Sequence, residues 1–496
     1  MGAPSEAERT FAAELTPPPA GDPLPTHPRL FWLAVVAAFV VATTGVERWE
    51  ALGRRLGVSV WTYASDARGD AGLHGVVVPV RRALFLAAVV ALVWFVSRSL
   101  HGRVAGAVRT AARDVALWSV GIFAALLALM GRVGLDGMGK GYAFMSRDPF
   151  GQQSGWYYRR LLVPALSAEI TSFVLTAGAT LATWAGLAAA GPLVSPQARV
   201  LVAERAQRDE VARAIESTTR YVHLAFTDML TLILIALCLV WLRRRWDGLR
   251  WWQALSILTS GFVIFQFELP GYTDALVLIL ALLAVSLPLD AYGRAALFVL
   301  ALTTHETAAA IVFLPLIAVT FPRREVRLHV GVLALYGVLW LANFGFHVGD
   351  ALAVNTQPTG RSAAASLAHD WTLAVCAVLA AYKALWIVVA ACEVLLVRRR
   401  EWRSLVALNL IVGLPLLQLP LAIDGSRLVA FGYLGVLAAC VYCARRSPRW
   451  AMSALLAVNL ALPSVFVGTW ESALIPNVVW PRGAYAIWNV VWGLLG

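Results

Sequence analysis

The feature that most constrains this chain is a succession of long apolar runs, joined by short segments that hold most of the charge. A membrane-spanning helix needs about 20 predominantly apolar residues, and a helix that is apolar on every side faces lipid or other helices. The sequence therefore predicts an all-α, polytopic transmembrane bundle of about 12–14 membrane helices, some short or broken, with extracytoplasmic interfacial helices. The runs lie near 30–46, 82–97, 115–132, 166–190, 222–242, 251–267, 274–289, 295–321, 328–345, 372–397, 404–422, 428–443 and 450–468.

The composition argues against a large soluble domain and against a nucleic-acid-binding function. Charged residues make up 14% of the chain, against about 25% in ordinary soluble domains. Most of the formal charge of +12 lies in short basic clusters beside apolar runs, where the positive-inside rule places it. We therefore expect a multi-pass protein of the cell, or inner, membrane that contacts membrane lipids and no nucleic acid.

The chain divides into a short tail and one membrane domain. Residues 1–28 are polar and rich in proline, and they lack the basic segment and cleavage site of a signal peptide. We expect 1–28 to be a disordered cytoplasmic tail and 29–496 to form a single transmembrane domain.

Four arginine clusters predict the orientation of the C-terminal half, because basic residues beside spans remain in the cytoplasm. These clusters lie at 243–245, 323–327, 398–403 and 445–449. They share one face only if the run 295–321 crosses the membrane twice, as two short helices that meet at His305 and Glu306. A charge inside the membrane costs about 2.5–3.5 kcal/mol, so this break also removes a polar pair from the middle of a span.

The topology of residues 166–220 stays open at this stage. The basic residues of 98–113 predict a cytoplasmic segment, which places the loop 133–163 outside. Residues 195–220 carry charges of both signs with helical spacing, which predicts an amphipathic helix at the membrane interface. Either 166–194 is a re-entrant pair of short helices, or the topology changes within 195–220.

Polar residues collect in the loop 133–163, on the expected extracytoplasmic face. Asp and Gln side chains hydrogen-bond sugar hydroxyls, aromatic rings stack on sugar faces, and Arg binds phosphate through two parallel hydrogen bonds. We interpret the loop as a substrate site; an interfacial loop anchored by aromatic and basic residues is the alternative. The candidates are Asp148, Gln152, Gln153, Trp156, Tyr157, Tyr158, Arg159 and Arg160.

Three further polar segments open or break apolar runs on the same face. Ionisable residues at membrane depth are candidates for function, and we assign five of them to substrate binding. The alternatives are an acidic turn, a polar bridge between helices, and an ion pair between Asp424 and its neighbour in the third segment. The candidates are Glu268 and Asp274 in the first segment, His305 and Glu306 in the second, and Arg427 in the third.

The sequence predicts no cofactor. It contains no Walker loop, no dinucleotide-binding glycine fingerprint and no nucleophile elbow. Two His residues lie near carboxylates, but their spacing matches no ligand motif. The sequence leaves open whether a divalent metal ion binds.

In order and spacing, four segments resemble the glycosyltransferase C superfamily, the polytopic enzymes that use polyprenyl-phosphate sugars. The resemblance covers roughly residues 115–445. It implies that an Asp in an early extracytoplasmic loop, here Asp148 in the catalytic loop 133–163, is the general base. It also implies a cation on the donor phosphate, which Arg159, Arg160 or Arg427 could supply. The segments are Tyr157–Pro164, Tyr272–Leu276, Thr304–Ala308 and Ser426–Arg427.

The position of Asp148 departs from the family pattern, which places this Asp after the first span and often in an acidic pair. Asp148 follows the third run, so two extra helices precede the shared core. Asp66 and Asp70 lie in the first loop and compete with Asp148 for the role of base. Asp136 is a weaker rival.

The resemblance implies transfer of a sugar from a polyprenyl-phosphate donor to a glycan, lipid or protein acceptor, in assembly of cell-envelope glycan or glycolipid. The alternatives are a transporter or flippase for lipid-linked or amphipathic substrates, an envelope polysaccharide polymerase or ligase, and a scaffold without catalysis. A transporter needs polar groups that reach both faces, whereas the candidates identified here lie on one face. That asymmetry favours the enzyme.

Overall fold

The computed structural model confirms a helical bundle. It describes residues 10–16, 27–55, 70–100, 118–119, 121–122, 145–146, 161–174, 200–268, 272–343, 346–347, 371–419, 425–467 and 472–475. The helices α1–α9 are Phe11–Leu15, Pro28–Thr43, Val46–Arg55, Asp70–Leu100, Leu162–Val174, Val200–Arg245, Trp251–Leu258, Phe262–Glu268 and Asp274–Ser286. The helices α10–α18 are Ala291–Thr304, Glu306–Val319, Arg323–Ala342, Trp371–Tyr382, Leu385–Arg398, Trp402–Gly413, Gly425–Val429, Tyr433–Ala444 and Arg449–Ala461.

The described helices fit a multi-pass membrane protein. Four of them are long and apolar enough to cross a membrane, and counting each of two sharply bent helix pairs as one span raises this number to six. Five shorter apolar helices accompany them. Two 3-10 segments, Leu414–Gln418 and Ala430–Gly432, follow α15 and α16. The total of about 12–14 membrane helices stays a prediction, because parts of the expected spans lie outside the described residues.

Three of the four arginine clusters meet at one end of the bundle. Arg445, just after α17, donates a hydrogen bond to the backbone carbonyl of Arg245, the last residue of α6. The hydroxyl of Tyr442 donates to the carboxylate of Glu401, 2.7 Å away, which joins α17 to the turn after α14. These contacts place the ends of α6, α14 and α17 side by side.

The fourth cluster begins α12 and belongs to the same end. Glu325 in the first turn of α12 pairs with Arg294 in the first turn of α10, and α10 runs from there to His305. We call the end where α6 and α17 finish the basic end. The end where α9, α11 and α16 begin is called the opposite end. Which membrane face each end occupies stays a prediction.

The run 295–321 crosses the bundle twice, and the predicted break is confirmed. His305 has an extended backbone, with φ −159° and ψ 100°, and it separates α10 from α11. Its Nδ1 accepts a hydrogen bond from the backbone N–H of Ala308 at 3.3 Å. The side chain of His305 therefore caps α11, whose first N–H groups have no partner within the helix.

The run 251–267 is likewise two helices and not one. Gly261 lies between α7 and α8 with φ +66°, a conformation that glycine adopts without strain. A Cβ atom at this position would lie 2.8 Å from Cδ2 of Tyr433 and 3.0 Å from Cδ1 of Tyr382. Only glycine allows the backbone to approach these two buried rings so closely.

Helix α6 differs from the sequence-based expectation. Residues 200–245 form one continuous helix, whereas the sequence predicted a separate interfacial helix over 195–220 before a span at 222–242. The segment contains no glycine and no proline, so nothing in its local sequence interrupts the helix. At 1.5 Å per residue it extends about 69 Å, about twice the hydrocarbon thickness, so much of α6 lies outside the lipid core.

Two other segments also differ from expectation. Within the predicted disordered tail, Phe11–Leu15 form α1, with Phe11 and Leu15 fully buried. The predicted span 450–468 ends early, because Pro463 cannot continue a helix. Residues Ser464–Val467 instead form strand β1, which pairs antiparallel with β2, Ser472–Ile475.

The two-end arrangement predicts a simple labelling pattern. In a Cys376→Ser background, Arg400→Cys at the basic end and Thr307→Cys at the opposite end both place a thiol at an exposed position. We expect a membrane-impermeant maleimide to label Thr307→Cys in intact cells and Arg400→Cys only after lysis. Labelling of Arg400→Cys from outside would contradict the predicted orientation, and Cys376→Ser alone measures the background.

Candidate functional site

The structure does not describe most of the residues assigned to the loop 133–163. Glu268 is the last residue of α8, and Asp70 is the first residue of α4; only their backbone is described. The predictions for the other candidates named next stay untested, because these residues lie outside the described part of the chain. Those outside the described residues are Asp66, Asp136, Asp148, Gln152, Gln153, Trp156, Tyr157, Tyr158, Arg159, Arg160 and Asp424.

Three sequence-predicted residues come together in a buried cluster at the opposite end. Asp274, the first residue of α9, is fully buried, and its Oδ2 pairs with Nη1 of Arg427 from α16. Its second oxygen, Oδ1, lies 3.6 Å from Nε2 of His305, between α10 and α11. Arg427 and His305 are 5% and 3% exposed. We call these three residues the opposite-end cluster.

The surroundings of this cluster favour negative charge. Asp274 begins α9 and His305 caps α11, so two helix N-termini converge here, and Arg427 comes from the short helix α16. The partial positive charge of helix N-termini stabilises anions. The guanidinium carbon of Arg427 also lies 4.6 Å from the ring centroid of Tyr272. One arginine, one histidine and two helix N-termini thus lie around a single carboxylate.

The hydrogen-bond pattern assigns His305 a role as a donor. Its Nδ1 accepts the backbone N–H of Ala308, and a neutral imidazole with one accepting nitrogen carries its proton on the other. Nε2–H therefore points towards the carboxylate of Asp274. In this arrangement His305 caps α11 through Nδ1, and its Nε2 lies near the carboxylate of Asp274 at 3.6 Å, beyond hydrogen-bond distance.

Two further polar groups border the cluster. The hydroxyl of Thr273, the residue before α9, is buried and has no hydrogen-bond partner among the described residues. Glu306 follows His305 in the first turn of α11 and is half-buried.

Sequence reasoning missed a buried histidine that anchors the segment before Asp148. Nδ1 of His223 in α6 lies 3.2 Å from the hydroxyl of Ser146 and 3.0 Å from that of Ser167 in α5. His223 lies 22 positions before the basic end of α6, about 33 Å along the axis. Ser146 is therefore held towards the opposite end. A histidine within an apolar run was the available signal.

A second buried ionic cluster, also missed, lies at the basic end. Arg294 in α10 binds Glu325 in α12 through two hydrogen bonds, one of them 2.7 Å long. His329, one turn further along α12, is fully buried, and its Nδ1 donates to the backbone carbonyl of Glu325 at 2.9 Å. The sequence suggested no partner for these residues, because 31 positions separate Arg294 from Glu325.

The ion pair of the opposite-end cluster predicts a specific pattern of stability. Removing one partner of a buried pair leaves an uncompensated charge, which costs about 3–5 kcal/mol. We expect Asp274→Asn and Arg427→Gln each to lower the thermal stability of the detergent-solubilised protein strongly. The double variant should lose less than the sum of the two single variants.

Asp247→Asn is the matched control for this experiment, because Asp247 is exposed at the basic end. Its melting temperature should equal that of the wild type. Equal stability of Asp274→Asn and Asp247→Asn would show that the buried pair contributes nothing to folding.

Within the described part of the chain, no group of three or more His, Cys, Asp or Glu side chains is arranged to hold a metal ion.

The comparisons with known proteins add no relative. Neither protein-family models, nor curated proteins, nor solved structures give a match to this chain.

Proposed function

We propose that this protein is a membrane glycosyltransferase that moves a sugar from a polyprenyl-phosphate donor to an acceptor at the extracytoplasmic face. The supporting observation is the opposite-end cluster, where Arg427, His305 and the N-termini of α9 and α11 converge on one buried carboxylate. Such a site suits an anion. It lies in a chain with several apolar helices able to span a membrane, where a lipid-linked phosphate is a natural substrate.

In this proposal Arg427 binds the phosphate of the donor. A guanidinium forms the same parallel hydrogen bonds with phosphate as with carboxylate. The donor phosphate therefore competes with Asp274 for Arg427, or shares it. In the absence of donor, Asp274 compensates the buried charge of Arg427. As the sugar leaves, negative charge grows on the phosphate, and Arg427 stabilises it.

Asp274 is poorly suited to serve as the general base of such a reaction. Its carboxylate is fully buried and already pairs with the guanidinium of Arg427, so an acceptor hydroxyl would have to displace that partner to reach it. The base is then a different carboxylate, and we propose Asp148. Two residues before it, Ser146 is held by His223 towards the same end of the bundle.

The reaction proceeds as a single displacement in this scheme. Asp148 removes the proton from the acceptor hydroxyl as that oxygen attacks the anomeric carbon of the sugar. The bond between the anomeric carbon and the phosphate oxygen breaks, and polyprenyl phosphate leaves with the bonding electrons. The prenyl chain stays in the lipid beside the apolar helices.

Replacing the proposed base tests the scheme. Asp148→Asn keeps the shape of the side chain and removes its basicity, so we expect sugar transfer to fall about 10²–10⁴-fold. Donor binding should change little, because the phosphate and the prenyl chain keep their contacts. The measurement is transfer from a panel of polyprenyl-phosphate sugars by protein reconstituted in liposomes.

Asp66→Asn and Asp70→Asn are the matched controls, because they are the competing carboxylates of the first loop. Full turnover of Asp148→Asn together with loss of activity in Asp66→Asn or Asp70→Asn would move the base to that loop. If the wild-type protein transferred no sugar from any donor in the panel, the proposed enzymatic function would be contradicted.

A transporter of lipid-linked or amphipathic substrates is the second candidate, and one observation favours it. Buried ionic clusters lie at both ends of α10, at Arg294 and beside His305, about 16 Å apart along the helix axis. The described candidates Asp274, His305 and Arg427 lie at one end, as expected, but the other end holds a buried ion pair that the sequence did not indicate. Two buried ion pairs at opposite ends are the arrangement that alternating gates would need.

Movement of substrate across the bilayer distinguishes the proposed glycosyltransferase from the proposed transporter. Because we favour the enzyme, we expect wild-type proteoliposomes to transfer sugar without carrying a fluorescent lipid-linked substrate across the bilayer. Glu325→Gln leaves the buried Arg294 without its partner and should lower stability, so transfer is measured per folded protein. On that basis it should stay close to the wild-type rate, because the basic end takes no part in the transfer. Flux across the bilayer that is lost in both Glu325→Gln and Asp274→Asn would establish the transporter instead.

A further inference from the structure

Two buried polar side chains at the opposite end have atoms without a hydrogen-bond partner. The amide nitrogen Nε2 of Gln266 in α8 has no partner among the described residues, although only 5% of Gln266 is exposed. The hydroxyl of Thr273 is fully buried and has no partner there either. Buried polar groups in folded proteins are nearly all hydrogen-bonded, because burying one without a partner costs free energy. Each of these two groups therefore requires an explanation.

Thr273 lies directly beside the opposite-end cluster. It precedes Asp274, whose Oδ2 pairs with Arg427. On its other side along the chain, the ring of Tyr272 lies against the guanidinium of Arg427, 4.6 Å from the ring centroid. The unpaired hydroxyl thus belongs to the segment that surrounds Arg427.

Gln266 lies on the face of α8 that is directed towards His305. It is one turn beyond Phe262, and residues four apart lie on the same face of a helix. The ring centroids of Phe262 and Phe431 are 5.3 Å apart, and those of Phe431 and His305 are 6.4 Å apart. Gln266 is also only two residues from the end of α8. It therefore lies at the level of the opposite-end cluster and on the same side of the helix.

A second buried glutamine shows what a satisfied amide looks like in this bundle. Gln253 in α7 is 6% exposed. Its Oε1 accepts the backbone N–H of Arg250 at 2.9 Å, and its Nε2 donates to the hydroxyl of Ser453 at 3.1 Å. Gln266 has an equally buried position without such partners for its nitrogen. The contrast indicates that the partner of Gln266 comes from outside the chain.

The chemistry of the two unpaired groups matches the hydroxyl groups of a sugar. An amide and a hydroxyl are uncharged, and between them they offer donors and acceptors. A phosphate is bound best by cations, and Arg427 is available for that part of the donor. The sugar is bonded directly to the donor phosphate, so its hydroxyl groups lie beside Arg427, where Thr273 and Gln266 are found.

We propose that Gln266 and Thr273 hydrogen-bond hydroxyl groups of the donor sugar and select which sugar is transferred. This inference rests on the proposed function and assigns the sugar-binding part of its site. A sugar that lacks the matching hydroxyl leaves the two buried groups unpaired, and such sites discriminate strongly against the incomplete substrate.

Melting temperatures of the full-length protein in detergent test whether the two groups lack partners in the folded chain. Replacing an unpaired buried group by an apolar one of similar shape is close to neutral or stabilising. We expect Gln266→Met and Thr273→Val to melt at the wild-type temperature or above it. Gln253→Met is the matched control and should melt lower, because it removes two hydrogen bonds of a buried amide.

Donor binding and transfer test the assignment to the sugar. In the wild type, the preferred member of a panel of polyprenyl-phosphate sugars should raise the melting temperature more than polyprenyl phosphate without a sugar. This difference should disappear in Gln266→Met and Thr273→Val, and kcat/KM for transfer should fall about 10–100-fold. Gln253→Met should keep both properties when they are measured per folded protein.

Two results would overturn the inference and leave the proposed transfer intact. One is a melting temperature of Gln266→Met and Thr273→Val as low as that of Gln253→Met, which would show that both groups already have partners, such as buried water. The other is a preference for the sugar-bearing donor that persists in both variants. If neither lipid stabilises the wild type, the proposed function is itself contradicted, and this inference fails with it.

Discussion

One buried ion pair determines how the opposite end of this bundle is assembled. Moving a carboxylate out of water costs several kcal/mol after relaxation, so the fully buried Asp274 requires a counter-charge. Arg427 supplies it, and the N–H of His305 faces the second oxygen. Because Asp274 begins α9, His305 precedes α11 and Arg427 lies in the short helix α16, the contacts around this one charge bring the three helices together.

Charge patterns in the sequence were sufficient to predict part of this arrangement. Basic residues on both sides of the run 295–321 required an even number of crossings, and the structure breaks the run at His305. The partner of Arg427 was beyond sequence reasoning, because Asp424 is its nearest acidic neighbour along the chain and Asp274 lies 153 positions away. Contacts between distant helices depend on packing, which local sequence does not determine.

The other differences also have local physical causes. The charges of 195–220 predicted an interfacial helix, but with no glycine or proline between Val200 and Arg245 the helix simply continues into the span. Proline enrichment predicted disorder for 1–28, whereas Phe11 and Leu15 find a buried position that their own segment could not provide. His223 and Arg294 gave no motif, since each acquires its partners only in the folded bundle.

The ionic clusters at the two ends of α10 share one feature, because each pairs an arginine with a carboxylate. At the opposite end a single carboxylate compensates an arginine beside the N-termini of α9 and α11. At the basic end, Glu325 compensates Arg294, and Glu14 compensates Arg245 and Arg445. In each place a carboxylate of the same chain compensates a largely buried arginine.

The most direct test of the central claim is the effect of polyprenyl phosphate on the stability of the Asp274→Asn variant. A ligand that binds only the folded state stabilises it by mass action. A phosphate that occupies Arg427 should therefore restore much of the melting temperature lost in Asp274→Asn. It should have no such effect on Arg427→Gln. Equal shifts in both variants, or a shift in neither, would contradict the assignment of Arg427 to the donor phosphate.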